Sequence, residues 1–240
     1  MIICEIGLNH MGDVKYANEY IDKIIKSESD GVLFHIREES FYKKHPELLL
    51  LDEFYIKAIK KLHKHNLKFG ITLADPNKVK FFRKLEVDFY KIFSRDILYE
   101  ELIKKIILTK KKVFVSTGIS DYKEIKKFVK MIKNKKNQIT LIHTYLGKDI
   151  SKVNLKAIPR LKEKFQMNVG YGNHAENYLV IYLSLVFQPS DIIFYVKGSK
   201  YKHHIDDLHA VQLDNLQNFI KNLKVLPDAI GNISKIKLKI

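Results

Sequence analysis

The chain has 240 residues, a formal net charge of +16 at pH 7 and a single cysteine, Cys4. Its length is close to the ~250 residues of a typical (β/α)8 barrel, so one domain with one large core is expected. A lone cysteine excludes an intramolecular disulfide, and its apolar surroundings predict a buried thiol. The sequence has no apolar run long enough for a bilayer and no signal-peptide pattern, which predicts a cytoplasmic protein with no membrane association.

The positive charge is spread along the chain and is not concentrated in one motif. Lysine-rich runs fall at 57–64, 104–112 and 126–136, within predicted helices, and no nucleic-acid-binding motif accompanies them. Solvated helix faces explain this pattern better than a footprint on a phosphate backbone. We therefore expect no nucleic-acid partner, although the charge would favour anionic substrates.

Short β-rich runs alternate with amphipathic helical patterns along the whole chain. The predicted strands are 2–8, 31–36, 68–73, 87–93, 113–117, 138–143, 168–171 and 192–196. The predicted helices are 14–27, 51–65, 76–85, 97–110, 122–133, 155–165, 177–187 and 213–223. Eight strand–helix repeats predict a closed parallel (β/α)8 TIM barrel over 1–225 as a single domain. Residues 226–240 form a basic extension, strand-like from 227, whose place the pattern does not assign.

Polar side chains follow most of the predicted strands. In a TIM barrel the carboxyl ends of the strands form the site, so these side chains are candidate functional residues. They are Glu5, Asn9, His10, His35, Thr72, Asp75, Lys91, Ser94, Ser116, Thr117, His143, Tyr145, Asn173, His174 and Lys197.

The fourth and fifth predicted strands end in small hydroxyl residues and are joined by a helix of crossover length. Because such strands lie side by side, Lys91, Ser94, Ser116 and Thr117 are expected to converge. A lysine with several hydroxyl and backbone donors suits a phosphate or a carboxylate. The alternative is that Lys91 is a rim lysine with a solvated charge and that Ser116-Thr117-Gly118 is only a turn.

Five short segments, in this order, resemble the signatures of the sialic acid synthase (NeuB) family. They are Glu5-Ile-Gly-Leu-Asn-His10-Met-Gly12, Tyr90-Lys91-Ile92 with Ser94, Val115-Ser116-Thr117-Gly118, Val153-Asn154-Leu155 and Gly170-Tyr171-Gly172-Asn173-His174. The resemblance implies condensation of phosphoenolpyruvate with an N-acetylated hexose to form nonulosonic acids such as sialic, legionaminic and pseudaminic acid. It also implies a divalent metal, Mn²⁺ or Mg²⁺.

The resemblance further implies roles for particular residues. The anion of phosphoenolpyruvate would contact Lys91, Ser94, Ser116, Thr117 and Asn154. Glu5 falls on a site carboxylate suited to proton handling or to positioning the sugar, and it is grouped with His35 and Asp75 as the candidate catalytic set. His174 falls on one of two metal-binding histidines.

The chain departs from the family pattern at several site positions. A phosphoenolpyruvate-contacting lysine is replaced by Leu33 and a glutamine by His35, and the lost charge-assisted contact is commonly worth about 1.5–3 kcal/mol. Gly172 replaces a serine, and Val196 or Lys197 stands where the second metal histidine is expected, although His203, His204 and His209 follow closely. The family's carboxy-terminal antifreeze-like domain has no counterpart in the chain, which leaves a homodimer or a separately encoded domain as possible partners.

Three hypotheses follow from the sequence. The first is a nonulosonic acid synthase, and the second is a related barrel enzyme that performs an aldol-type or lyase step on a sugar or keto acid. The third is a catalytically silent relative that serves as a binding or scaffold subunit. The predicted anion pocket supports the first two, whereas Leu33 and the missing histidine favour the last two.

Overall fold

The computed structural model describes residues 1–147 and 149–231. The strands are β1 (Ile2–Gly7), β2 (Gly31–Ile36), β3 (Lys68–Leu73), β4 (Phe89–Ile92), β5 (Lys112–Ser116), β6 (Ile139–His143), β7 (Asn168–Asn173), β8 (Ile192–Lys197) and β9 (Val211–Gln212). The α-helices are α1 (Val14–Lys26), α2 (Glu39–Lys44), α3 (Asp52–Lys64), α4 (Val79–Lys84), α5 (Glu100–Ile107), α6 (Tyr122–Ile132), α7 (Ala157–Phe165), α8 (Leu179–Ser184) and α9 (Leu216–Ile230).

Strands β1 to β8 form a closed parallel barrel. Each pairs with the next, and β1 also pairs with β8, with Ile2 opposite Ile192 and Glu5 opposite Tyr195. All eight predicted strands are present, so the (β/α)8 barrel expected from the alternating pattern is confirmed. The carboxyl ends of the strands open at one end of the barrel, which we call the mouth.

Side-chain caps set the start of two of the outer helices. The Asp13 carboxylate accepts a hydrogen bond from the Tyr16 amide at the start of α1. Asp121 and Glu124 form a reciprocal capping box at the start of α6. Such caps satisfy backbone donors that have no partner within the helix.

The structure differs from the predicted elements in three places. Helix α2 and the two-residue strand β9 were not predicted, because both are too short to show a hydrophobic period. Helix α9 continues to Ile230, past the expected domain end at 225, and contains Pro227. The strand-like prediction is therefore wrong for 227–230, while residues 232–240 of the predicted extension lie outside the described part of the chain.

The inside of the barrel below the mouth is filled by an apolar layer. It consists of Ile3, Leu33, Phe89, Phe114, Ile142 and Ile193. A Cβ atom at Gly70 would lie 1.9 Å from the Phe89 ring, so β3 must carry glycine beside it. A second, larger core packs the outer faces of the strands against the helices. The apolar layer closes the barrel beneath the mouth, so a ligand binds above it.

Two simpler expectations concern the thiol and the membrane. Cys4 is fully buried, and burial raises the pKa of its thiol to about 12, which makes it unreactive. Among the described residues, none of the helices combines the length and apolar character needed to cross a bilayer.

Candidate active site at the mouth of the barrel

The centre of the mouth is a buried network of Glu5, His35 and Lys91. Glu5 Oε1 accepts hydrogen bonds from Lys91 Nζ at 2.5 Å and from His35 Nε2 at 2.6 Å. The three residues lie on β1, β2 and β4, at positions that point into the barrel, and each is at most 5 % exposed. The network joins two predicted catalytic residues to the predicted anion-binding lysine.

The protonation states in this network follow from burial and charge. Burial would raise the pKa of Glu5, but the Lys91 ammonium and the hydrogen bond from His35 lower it to about 2. Burial lowers the pKa of His35 below its usual value despite the Glu5 carboxylate. At neutral pH, Glu5 is therefore ionised and His35 is a neutral donor through Nε2.

A cavity of about 180 Å³ opens beside this network, and we call it the anion pocket. Lys91, Ser94 and Ser116 line it, as predicted, and each is about 5 % exposed. The Ser94 hydroxyl oxygen accepts from the Gly118 amide at 3.0 Å, which ties the end of β4 to the loop after β5 and leaves the hydroxyl proton free to donate. The remaining lining residues are Arg37, Phe93, Arg95, Ile119, Leu146, His174 and Tyr195.

The two arginines of the anion pocket were not identified from the sequence. Arg37 follows β2 directly, and Arg95 follows Ser94. The chain has four arginines among its 43 basic residues, and two of them lie one or two residues beyond the predicted strands 31–36 and 87–93. This placement was an available signal. Lysines are so frequent in this chain that its basic residues resemble ordinary charge on solvated helix faces. The position of the two arginines is therefore easy to overlook.

Two residues predicted to bind the anion, Thr117 and Asn154, and one predicted catalytic residue, Asp75, lie away from the anion pocket. The Thr117 hydroxyl donates to the Ile142 carbonyl at 3.0 Å. Asn154 is exposed and lines a different cavity, together with Thr117 and Gly118. Asp75 accepts a hydrogen bond from the Asn77 amide at 2.8 Å and caps the 3-10 turn Pro76–Lys78. The expectation that Thr117 and Asn154 join Lys91 in one pocket is therefore not met.

An aromatic and acidic cluster forms the opposite side of the mouth. The His174 and His209 rings stack with centroids 4.6 Å apart, and both pack edge-on against Tyr195. Burial lowers the pKa of His174 to about 3 and that of His209 to about 4. Burial and the nearby Glu5 carboxylate raise the pKa of Asp206 to about 7.

Asn9 holds this side of the mouth in place. Its side-chain amide donates to the Val196 carbonyl at 2.9 Å, and its oxygen accepts from the Asp206 amide at 2.8 Å. His10 Nδ1 accepts from the Gly12 amide at 2.9 Å, so His10 shapes the first loop. Nothing in the sequence indicates the contact between Asn9 and Asp206, because the two residues are far apart in the chain.

The donor set around His174 does not form a metal centre in this arrangement. Within residues 1–147 and 149–231, no three His, Cys, Asp or Glu side chains are grouped to hold a metal ion. His174 and His209 stack face to face, and the raised pKa of Asp206 favours a protonated carboxyl, which is a poor ligand. The metal at His174 remains a prediction.

The departures from the family pattern have structural explanations. Leu33 is fully buried in the apolar layer under the mouth. A side chain at Gly172 would meet Ile142 at 2.8 Å. Lys197 Nζ donates to the Asp207 side chain at 2.6 Å and to its carbonyl at 2.8 Å, so its charge is paired with a loop carboxylate.

Comparison with known proteins identifies several similar chains. The sequence model described as the NeuB family matches residues 4–235. An N,N'-diacetyllegionaminic acid synthase of Campylobacter jejuni is 32% identical over 212 residues, which cover 77% of this chain and 63% of that protein. A pseudaminic acid synthase of the same species is 24% identical, over 96% of this chain and 75% of that protein.

Solved structures share the fold at lower identity. The crystal structure of an N-acetylneuraminic acid synthetase from Leptospira borgpetersenii, in complex with citrate, has a TM-score of 0.90 at 21% identity. The match covers 99% of this chain and 87% of that one. A truncated 3-deoxy-D-arabino-heptulosonate 7-phosphate synthase from Thermotoga maritima has a TM-score of 0.75 at 12% identity, over 96% of this chain and 87% of that one.

Proposed function

The chain belongs to the NeuB family, and on that premise we propose that it condenses phosphoenolpyruvate with an N-acetylated hexose to form a nonulosonic acid. The observation that carries the proposal is the anion pocket, in which Lys91, Ser94 and Ser116 meet beside the Glu5 carboxylate. The relatives include an N,N'-diacetyllegionaminic acid synthase and a pseudaminic acid synthase, which supports the same substrate class. The citrate bound by the structural relative is consistent with a site for small anions.

The proposed reaction forms one carbon–carbon bond and replaces the carbon–oxygen bond to phosphate with a carbon–oxygen bond to water. The methylene carbon of phosphoenolpyruvate attacks the aldehyde carbon of the open-chain sugar, and the aldehyde oxygen takes up a proton. Water then adds to the resulting oxocarbenium carbon and gives up a proton, which balances the proton taken up by the aldehyde oxygen. The carbon–oxygen bond to phosphate breaks, so inorganic phosphate leaves and a keto group remains. The main contribution that the barrel can make is to hold the two reacting carbon atoms close together and in the correct orientation.

Lys91 would hold the acid while Glu5 handles the sugar. Because Lys91 lies at the floor of the anion pocket, its ammonium is available to an anion that enters from the mouth. A ligand that draws Lys91 away from Glu5 removes the charge that lowers the pKa of Glu5. Glu5 would then become a stronger acceptor for a sugar hydroxyl or a proton at the moment when both substrates are bound.

A second candidate function is favoured by Leu33. With an apolar residue at the position of the family's lysine, the same pocket could serve an aldol-type or lyase step on a sugar or keto acid. Such an enzyme would bind phosphoenolpyruvate or pyruvate and would release no phosphate in the presence of an N-acetylated hexose.

A direct assay separates the two functions. Purified protein is incubated with Mn²⁺, phosphoenolpyruvate and either N-acetylmannosamine or a diacetamido-hexose, and both phosphate release and product mass are followed. The proposed function predicts one phosphate for each nine-carbon acid formed. Absence of turnover with every such sugar, also after addition of an antifreeze-like domain, would refute it.

A further inference from the structure

Arg37 and Arg95 form a pair of guanidinium groups at the outer edge of the anion pocket. Arg37 Nε donates to Glu38 Oε2 at 3.1 Å, and Arg95 Nη2 donates to the same oxygen at 2.7 Å. Arg37 Nη2 also donates to Glu38 Oε1 at 3.2 Å. The shared carboxylate holds two like charges together that would otherwise repel each other.

Aromatic rings lie close to both guanidinium groups. Arg37 lies 4.1 Å from the Phe41 ring centroid and 5.8 Å from that of Phe93, and Arg95 lies 5.5 Å from that of Phe93. Lysine also makes cation–π contacts, but only the planar guanidinium can in addition stack on a ring. A guanidinium has five N–H donors, so each arginine keeps donors free after binding Glu38.

The inner and outer ends of the anion pocket differ in their hydrogen-bond donors and in their exposure to water. At the inner end, Lys91 is paired with Glu5, so the pair is neutral and the additional donors are the Ser94 and Ser116 hydroxyls. At the outer end, Arg37 and Arg95 share the Glu38 carboxylate, and Arg95 Nε also lies 3.6 Å from Asp96 Oδ2. The side chain of Arg37 is 21% exposed and that of Arg95 is 44% exposed, so this end also remains close to water.

We propose that Arg37 and Arg95 form the phosphate-binding end of the anion pocket and supply the cationic contact that position 33 lacks. The ligand class is a small phosphorylated carboxylic acid, with its carboxylate directed toward Lys91 and the two serines. This inference rests on the proposed function for the identity of the acid as phosphoenolpyruvate. A phosphate dianion is costly to desolvate, which favours the more hydrated end, where two guanidinium groups keep N–H donors free.

Glutamine substitutions of the two arginines test the assignment. Arg160→Gln is the matched control, because Arg160 lies on α7 in an exposed pair with Glu163. The dissociation constant of phosphoenolpyruvate is measured by calorimetry, and inorganic phosphate and pyruvate are measured as competitors. Melting temperatures and circular dichroism check the fold of each variant, and Arg37→Lys provides a second variant that keeps the charge but loses the bidentate geometry.

Arg37→Gln is expected to weaken the binding of phosphoenolpyruvate and of inorganic phosphate by about ten- to a hundredfold. The affinity for pyruvate should stay nearly unchanged. Arg95→Gln should have a smaller effect because Arg95 is more exposed, and Arg37→Lys should fall between wild type and Arg37→Gln. Arg160→Gln should match wild type. An unchanged affinity for phosphoenolpyruvate in Arg37→Gln would overturn the inference. A weaker affinity for pyruvate together with an unchanged affinity for inorganic phosphate would also overturn it.

The same measurements separate this inference from the proposed function. Arginine-dependent binding of phosphoenolpyruvate without turnover would refute the synthase function and support the arginine site. Turnover with an unchanged KM for phosphoenolpyruvate in Arg37→Gln would support the function and refute the arginine site. Failure of the wild-type protein to bind phosphoenolpyruvate would overturn both.

Discussion

The two sides of the mouth are built in different ways. On one side, Lys91 and Ser116 lie on β4 and β5, and Ser94 follows β4 closely. On the other side, Asp206 and His209 lie in the loop after β8 and are held by contacts such as that of Asn9 with Asp206. Strand ladders fix the direction of each side chain, whereas loop residues depend on distant partners. The strand-borne side should therefore be the more rigid and the more essential.

The largest effect is expected on the strand-borne side, from Lys91→Ala. This change leaves the Glu5 carboxylate buried with His35 as its remaining partner, which should lower the free energy of unfolding by about 3–5 kcal/mol. Phosphate release should fall below detection. Lys104→Ala, in an exposed pair with Glu100 on α5, is the control and should change stability by less than about 1 kcal/mol. Activity retained in Lys91→Ala would remove the basis of the comparison.

The apolar layer beneath the strand-borne side should tolerate no added volume. Gly70→Ala places a methyl group against Phe89 and is expected to cost about 1–3 kcal/mol of unfolding free energy, measured by urea denaturation. The double variant Gly70→Ala/Phe89→Leu should recover part of the loss. Equal stability of Gly70→Ala and wild type would mean that this layer is loosely packed.

On the loop-borne side, Asp206→Asn should stabilise the protein in a pH-dependent manner. Burial raises the pKa of Asp206 from 3.8 to about 7, so the folded state keeps a proton that the unfolded state has lost between these values. Wild-type stability contributed by this group therefore falls as the pH rises from about 4 to 7. Melting curves of the two proteins should agree near pH 4 and diverge at pH 8, with the variant melting higher.

A difference of about 1 kcal/mol in unfolding free energy between Asp206→Asn and wild type corresponds to roughly 2–4 °C in Tm for a domain of this size. His10, which is also buried but lies on the first loop, provides a contrast. Burial lowers the pKa of His10 to about 3, so its contribution to stability is lost as the pH falls from 6.5, in the opposite direction. If Asp206→Asn melted lower than wild type at pH 8, the Asp206 carboxylate would be stabilised by partners that this account does not include.

The smallest effect is expected from a metal at His174. Since the described residues place no three donors together, we expect Mn²⁺ to raise the Tm by no more than about 2–4 °C. His174→Gln should remove the shift, and a chelator should reverse it in the wild type. A large shift that persists in His174→Gln would place the ion elsewhere.

The fold and half of the site could be predicted from the sequence. Apolar runs of strand length gave the barrel, and the strand-end rule brought Lys91, Ser94 and Ser116 together. Thr117 was assigned to the same pocket, but alternation along the strand turns its hydroxyl away, toward the Ile142 carbonyl. Asn154 was assigned by resemblance, and its loop carries it to a different cavity.

The remaining site residues depend on contacts that no local pattern encodes. Arg37 and Arg95 are joined by Glu38, and the three come from two different strand–helix connections. Asp206 is placed by Asn9, almost 200 positions away in the chain. Helix α9 passes through Pro227 because its buried face, from Leu216 to Leu223, anchors the turns before the proline.

The measurement that tests the central claim most directly is a crystal structure of the protein soaked with phosphoenolpyruvate. The account predicts density for the acid in the anion pocket, with its carboxylate beside Lys91, Ser94 and Ser116 and its phosphate beside Arg37. Density at another place on the barrel, or an empty pocket in crystals where a binding assay shows saturation, would contradict it.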